Sequence, residues 1–313
     1  MARPKPAGEA NRRLPRNALS KVVLGQSFSE LDRGLFLPGI FVSTPALQAA
    51  IDASRLKCFF VGRRGTGKTA IARYMSENFP RTTIEIFPQL FSSIPESIDV
   101  ETFKSASQAP FKSLIAAFKR SLQDEVLSAW NEKNLIMGLS RNDTLNREKN
   151  YYEDYDFDTR TLEFIDQLLG HLSVGNQKGW MRQSKLPDRL TEQMGKMQTG
   201  PASYITVLID RIDDFWDGSD KAVILLMALM HACLQLSSVT SCVRPLLFLR
   251  ENIFERVRQI DLEFSRIETS VISMDWTKEL LLEMVERRLN YPQTTKLPLD
   301  GTTWDAYFEK IDG

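Results

Sequence analysis

Eight consecutive residues carry the clearest chemical signal in the chain. Gly62-Arg63-Arg64-Gly65-Thr66-Gly67-Lys68-Thr69 fits G-x-x-x-x-G-K-[ST] at every fixed position. Glycines at 62, 65 and 67 admit backbone conformations and close approaches that a Cβ would block. Such a loop can turn successive N–H groups inward, toward phosphate oxygens. A helix opening over Lys68, Thr69 and Ala70 adds unpaired N–H groups and a positive dipole end. In this pattern Lys68 reaches the β- and γ-phosphates, and the Thr69 hydroxyl ligates Mg2+. With glycine near 7% of average usage, the four fixed positions coincide by chance in roughly one chain in a hundred of this length. The bland alternative is a glycine loop that holds nothing. Against it, an apolar run ("KCFFV") precedes the loop and an amphipathic one ("AIARYM") follows, which is the strand-and-helix context the motif requires.

A second stretch, "YITVLIDRIDDFWDG", supplies acids. A buried strand carrying Ile205, Val207, Leu208 and Ile209 ends in Asp210, with Asp213 and Asp214 just beyond. An acid at the carboxyl end of a parallel strand sits where open α/β sheets bind ligands. Asp210 can hold Mg2+ directly or through water. Asp213 or Asp214 can orient an attacking water or accept its proton; the competing reading is that both cap the next helix. In "RPLLFLRENIF" a third strand ends at Arg250, whose permanent forked charge suits a γ-phosphate. Its competing reading is an ion pair with a neighbour such as Glu251. Arg266 is a weaker candidate, an arginine finger toward a neighbouring subunit's nucleotide, with Arg256 and Arg258 as competitors.

Other chemically capable residues read as structural. Trp276 opens a helix and belongs to the core, Cys58 is a small buried residue of the first strand, and His231 is a core helix residue. "YYEDYDFD" mixes aromatics and acids without ligand spacing and reads as an exposed loop or partner surface. Cys58, Cys233 and Cys242 show no CxxC spacing, and with only His171 and His231 neither a zinc site nor a disulfide framework is expected.

Positioning the three stretches requires strands alternating with helices. Strands are expected at Lys57–Val61, 82–87, 204–210, 244–250 and 267–274, and helices at about 44–53, 67–78, 221–236, over "ENIFERVRQI", and at 276–289. That grammar predicts an α/β fold with a parallel five-stranded sheet flanked by helices. Residues of about 100–200 break the alternation with long helical patterns and polar stretches, and are expected to form a helical insertion. The first 22 or so residues read as a basic disordered arm, 23–275 as the core with its insertion, and 276–313 as the start of an incomplete helical lid. Across 313 residues Lys+Arg and Asp+Glu both number 40, so net charge makes no case for nucleic acid or membrane. No apolar run approaches the roughly 20 residues that span a bilayer, and the N-terminus lacks a signal-peptide core. The expectation is a reduced, cytoplasmic protein.

Four segments together resemble a bacterial family of P-loop ATPases related to STAND and AAA-like NTPases, the group that includes NACHT and KAP proteins. They are "FFVGRRGTGKTAI", "VLIDRIDDFWD", "LLFLRENIFERV" and "SMDWTKELLLEMVERRL", and "GQSFSELD" upstream is similar to that family too. The resemblance covers about residues 24–290, with little from 100–200. It implies a P-loop NTPase fold of the ASCE type. It also implies Walker A roles for Lys68 and Thr69, a Walker B metal role for Asp210 and a γ-phosphate sensor at Arg250. ATP as the nucleotide is a family expectation. Asp214 stands where the family often has Glu. Similar proteins are often switches in bacterial conflict systems, including antiphage defence. The expected function is therefore an ATP-binding and ATP-hydrolysing switch that assembles as a homo-oligomer or with an effector protein, using the insertion to meet its partner or trigger. Two rivals stand beside it. One is a DNA-associated AAA+ motor or loader, with a basic face from the N-terminal arm, Arg182 and Lys185. The other is a non-catalytic subunit that keeps ATP as a structural ligand.

Overall fold

The computed structural model describes residues 39–52, 57–92, 94, 109–132, 156–174, 205–239, 243–291 and 302–308. The basic arm, "GQSFSELD", Cys242, Arg182, Lys185 and most of "YYEDYDFD" lie outside the described residues.

Five short apolar runs form the strands. In chain order they are β1 (Phe59–Gly62), β2 (Thr83–Ile86), β3 (Ile205–Ile209), β4 (Val243–Arg250) and β5 (Val271–Ser273). They make one all-parallel sheet in the order β2-β3-β4-β1-β5. β1 and β3 are buried at every residue, as a parallel sheet covered on both faces demands, and their sequences are accordingly unbroken apolar runs.

The helices of this unit are α1 (Pro45–Ile51), α2 (Lys68–Asn78), α3 (Ala109–Glu132), α4 (Phe157–Val174), α5 (Asp220–Val239), α6 (Glu251–Ile260) and α7 (Phe264–Glu268). α5 packs on β4, α3 packs on α5 and reaches β2 and β3, and α4 packs on α3. α3 and α4 are the described part of the expected insertion, and α3 is a piece of the core: Phe111, Leu114, Phe118, Leu122 and Val126 are all buried in the same apolar cluster as the strands. Each such side chain contributes about 1.5–3 kcal/mol of burial, which holds the helix to the sheet. α5 includes a 19-residue segment, Asp220–Ser238, long and apolar enough to cross a membrane. Its residues from Ala222 to Cys233 are nearly all buried within the protein, so here it is the central core helix.

Buried polar groups are paired at the joints. His231 of α5 sits 2.9 Å from the Asp261 carboxylate, which also accepts the Glu263 N–H at 2.8 Å. Arg244 on β4 donates to the Ala49 and Ala50 carbonyls at the end of α1, meeting the unsatisfied carbonyls of a helix C-terminus.

The fifth strand is shorter than its β-branched sequence suggests. Residues 264–268 are helical, because Phe264 and Ile267, three apart, both turn into the core. β4 also begins one residue early, and α2 begins at Lys68 with Gly67 as its N-cap.

The chain divides into two compact units, Pro45–Met274 and a smaller one made of Met1–Thr44 with Asp275–Gly313. In the smaller unit α8 (Lys278–Asn290) and α9 (Thr302–Tyr307) pack together. The Glu286 carboxylate accepts the Trp304 N–H, and the Tyr307 hydroxyl donates to the Leu289 carbonyl, both at 2.9 Å. Trp276 lies ahead of α8, half-buried, and Thr277 caps the helix by accepting the Leu280 N–H at 3.3 Å.

Candidate functional site

Because every strand runs the same way, the carboxyl ends of β1, β3 and β4 open on one edge of the sheet. Register aligns Gly62 of β1 with Arg250 of β4, and Ile209 of β3 with Leu247 of β4. The loop after β1, the acid after β3 and the arginine ending β4 therefore share that edge, with β4 between the other two.

The loop after β1 is shaped by two glycines in different ways. A Cβ on Gly62 would lie 2.5 Å from Thr66 Oγ1 and 2.8 Å from Met274 Cβ, so only hydrogen fits where the loop folds over the strand end. Gly67, with φ +93°, adopts the left-handed conformation that lets the chain swing into α2. The Lys68 ammonium is folded back under the loop. It donates to the Gly62 carbonyl at 2.9 Å and the Arg63 carbonyl at 2.8 Å. The Arg63 carbonyl also accepts the Thr66 hydroxyl at 2.9 Å. The Arg63 side chain reaches across to Glu251, the first residue of α6, at 2.9 Å.

The loop after β3 is built differently. Asp210 is 3% exposed, and its Oδ2 has no hydrogen-bond partner. The Thr69 hydroxyl and the Arg211 backbone N–H serve the carboxylate. Burial nonetheless dominates, and pushes the Asp210 carboxyl up to about 6. Arg211 then takes φ +65°, the single non-glycine residue with positive φ among the described residues. This tight turn leads into a 3-10 segment, Ile212–Asp214. Asp213 forms an ion pair with Arg250. Asp214 accepts from its own neighbour Arg211 at 2.8 Å, and the Arg211 guanidinium also lies over the Phe87 ring, 5.9 Å from its centroid.

Neither acid caps the following helix. Ser219 does so, its hydroxyl accepting the Ala222 N–H at 3.1 Å. Likewise Arg250 does not pair with Glu251, which is bound to Arg63.

Electrostatically the core of the site is one cluster. Burial lowers the Lys68 pKa; the Asp213 and Asp210 carboxylates oppose that, and Arg250 reinforces it. Lys68, Thr69, Asp210, Asp213 and Arg250 are thus brought together. Asp214 stands at the rim, half-exposed, and Arg64 is exposed on the loop. Arg266 is away on the surface of α7, its side chain 75% exposed and paired with Glu263. Its competitors are paired as well, Arg256 with Asp220 and Arg258 with Glu255 and Glu268.

Sequence reasoning missed Met274, which closes over Gly62, the tie that Glu251 makes to the loop through Arg63, and Arg211, which makes the turn. Only Arg211 carried a signal, a residue wedged between a strand-end acid and two further acids.

The residues fit a magnesium ion on two observations. The Thr69 hydroxyl and the Asp210 carboxylate are adjacent, and one buried carboxylate oxygen lacks any partner. Among the described residues no group of three or more His, Cys, Asp or Glu is placed to hold a metal. Magnesium at phosphate sites takes just one or two carboxylates and leaves the other positions to phosphate and water.

No protein-family model matches the chain. It is 23% identical, over 297 residues, to the putative transposon gamma-delta 80.3 kDa protein of Escherichia coli strain K12. That alignment takes in 90% of this chain and 41% of the relative, so the chain spans less than half the length of the protein it matches.

Proposed function

We propose that the sheet edge is a Mg-dependent nucleoside triphosphate site, that the nucleotide is ATP, and that the protein is a P-loop ATPase of the STAND/AAA-like class whose turnover drives a conformational or assembly switch. One observation carries the reading: a loop lysine and a buried, half-satisfied carboxylate, supplied by two different strands, converge on the same edge. A merely structural glycine loop has no need to leave a buried carboxylate oxygen without a partner, because such a group costs free energy unless something binds it.

The roles follow from charge and reach. The loop N–H groups and Lys68 take the phosphates. Thr69 and Asp210 hold Mg2+, which when bound neutralises charge on the β- and γ-phosphates. Arg250 meets the terminal phosphate. Asp213 or Asp214 orients water or accepts its proton. Phosphoryl transfer asks for little beyond positioning and charge neutralisation, so this set suffices in kind. Cys58 and Cys233 are buried free thiols, in keeping with the reducing cytoplasm that we propose as the setting.

The test is steady-state ATP turnover of the purified chain beside Lys68→Ala, with native mass recorded in the same samples. Turnover is expected to fall at least a hundredfold in the variant, and the wild-type mass to rise with ATP. Bound nucleotide with no turnover would reduce the site to a structural one.

A second reading is favoured by the relative's name. The E. coli protein is described as a transposon protein, which suits a DNA-associated ATPase better than a defence switch. Turnover stimulated by duplex DNA, and lost steeply with added salt, would select it.

A further inference from the structure

We propose that the Arg250–Asp213 ion pair is an internal latch: Asp213 occupies the arginine that a terminal phosphate must capture, so the acid is released only when a triphosphate is bound. The inference rests on the nucleotide-site reading and adds regulation to it.

Four observations support it. First, Arg250 and Asp213 are bound to each other. The two groups assigned to γ-phosphate and to water are therefore joined through Arg250 Nε, and their charges offset each other. Second, the pair is partly sheltered, with side chains 31% and 15% exposed. Its competition with a ligand is thus less screened than that of a surface pair. Third, Lys68 is also satisfied from within, by the Gly62 and Arg63 carbonyls. The site as a whole rests in a self-paired state. Fourth, the cation that ends β4 and the acid beyond β3 come from adjacent strands held in fixed register. The exchange then needs side-chain rotation, not movement of the sheet.

The consequence is an order of events. A ligand with a terminal phosphate displaces the Asp213 carboxylate from the guanidinium, because phosphate oxygens offer Arg250 an equivalent charged acceptor. Asp213, now unpaired, faces the terminal phosphate with a free carboxylate able to hold water. A diphosphate does not reach Arg250 and leaves the latch shut. Loss of the terminal phosphate lets the pair re-form.

The test measures equilibrium binding of Mg2+ with a non-hydrolysable ATP analogue, and separately with ADP. The proteins are wild type, Asp213→Asn, Arg250→Gln and the double variant, each with a thermal melt to confirm folding. Removing the internal competitor is expected to tighten the triphosphate analogue about tenfold, the effect of losing one charge-assisted bond. ADP affinity is expected to stay within twofold, and the tightening to vanish in the Arg250→Gln background. Asp213→Ser serves in the same way if Asp213→Asn folds poorly. Unchanged or weakened analogue binding by Asp213→Asn overturns the latch. Equal tightening of both nucleotides, or tightening that persists without Arg250, also overturns it and leaves a plain charge effect. Wild type that binds neither nucleotide overturns the nucleotide-site reading itself, a result distinct from all of these.

Discussion

The loops that follow β1 and β3 leave the same edge of the same sheet, yet they solve opposite problems. The first, Arg63–Gly67, puts its conformational demands on glycine and satisfies its charge internally, with Lys68 bonded to two loop carbonyls. The second puts a left-handed turn on Arg211 and keeps a carboxylate oxygen of Asp210 buried without a partner. One loop is relaxed, its lysine satisfied from within. The other stores cost, in backbone and in desolvation, that a bound cation would relieve. Strain of this kind persists only where the surroundings over-determine it, and here β2 and β4 clamp β3 from both sides.

The largest expected effect breaks the first loop. Gly62→Ala puts a Cβ against Thr66 and Met274, including the Met274 backbone carbonyl, which cannot give way as a flexible side chain can. It should destabilise the unit by about 1–3 kcal/mol or more and abolish the nucleotide binding proposed for the loop, read by urea unfolding and by titration. A variant of unchanged stability would mean that the loop folds over the strand less closely than this.

The next sharpens the second loop through pH. Asp210 titrates at about 6 in the folded protein, above its usual 3.8. Its contribution to stability is therefore fully present below about pH 4 and is lost as pH rises through 6. In metal-free protein the ionised group costs up to about 3 kcal/mol at pH 7. Asp210→Asn should thus raise stability at pH 7 to 8, and flatten the slope between pH 4 and 6. Added Mg2+ should stabilise wild type and not the variant. If wild type loses no stability between pH 4 and 7, the second loop stores no such cost.

A pair of small effects sets one left-handed residue of each loop against the other. Gly67→Ala has space, its nearest neighbour being the Ala70 Cβ at 3.9 Å, but the wrong φ. It should cost about 1–2 kcal/mol. Arg211→Gly should relieve a similar strain while losing the bond to Asp214 and the contact with Phe87. The net change is expected within about 1 kcal/mol of zero, read from the urea midpoint. A large loss on Arg211→Gly would show that its side-chain contacts, not the turn, hold the second loop.

Much of this architecture was legible in the sequence because it depends on local period. Unbroken apolar runs identified the strands, and the spacing around Gly62–Thr69 identified the loop. Legibility ended where a short segment had competing patterns. The run "IETSVISM" is rich in β-branched residues, yet its first residues are helical because Phe264 and Ile267 fall on one helical face. The stretch around 109–132 read as part of a helical insertion, but its packing on α5 and the burial of Phe111 and Phe118 were not legible, because nothing local says which surface a helix will cover. For Arg250 the sequence offered its neighbour Glu251 as partner; the fold gave Glu251 to Arg63 and Asp213 to Arg250.

By itself, then, the sequence determined a glycine loop between a strand and a helix, an acid at the end of a second strand and an arginine at the end of a third. Each rests on sterics and periodicity within a few residues. Only the tertiary structure decided that β4 lies between β1 and β3, that Asp213 and Arg250 neutralise each other, and that one oxygen of Asp210 is left unsatisfied. Those facts arise from strand order and burial, which are settled by the packing of the whole sheet against its helices, and no local stretch of chain contains them.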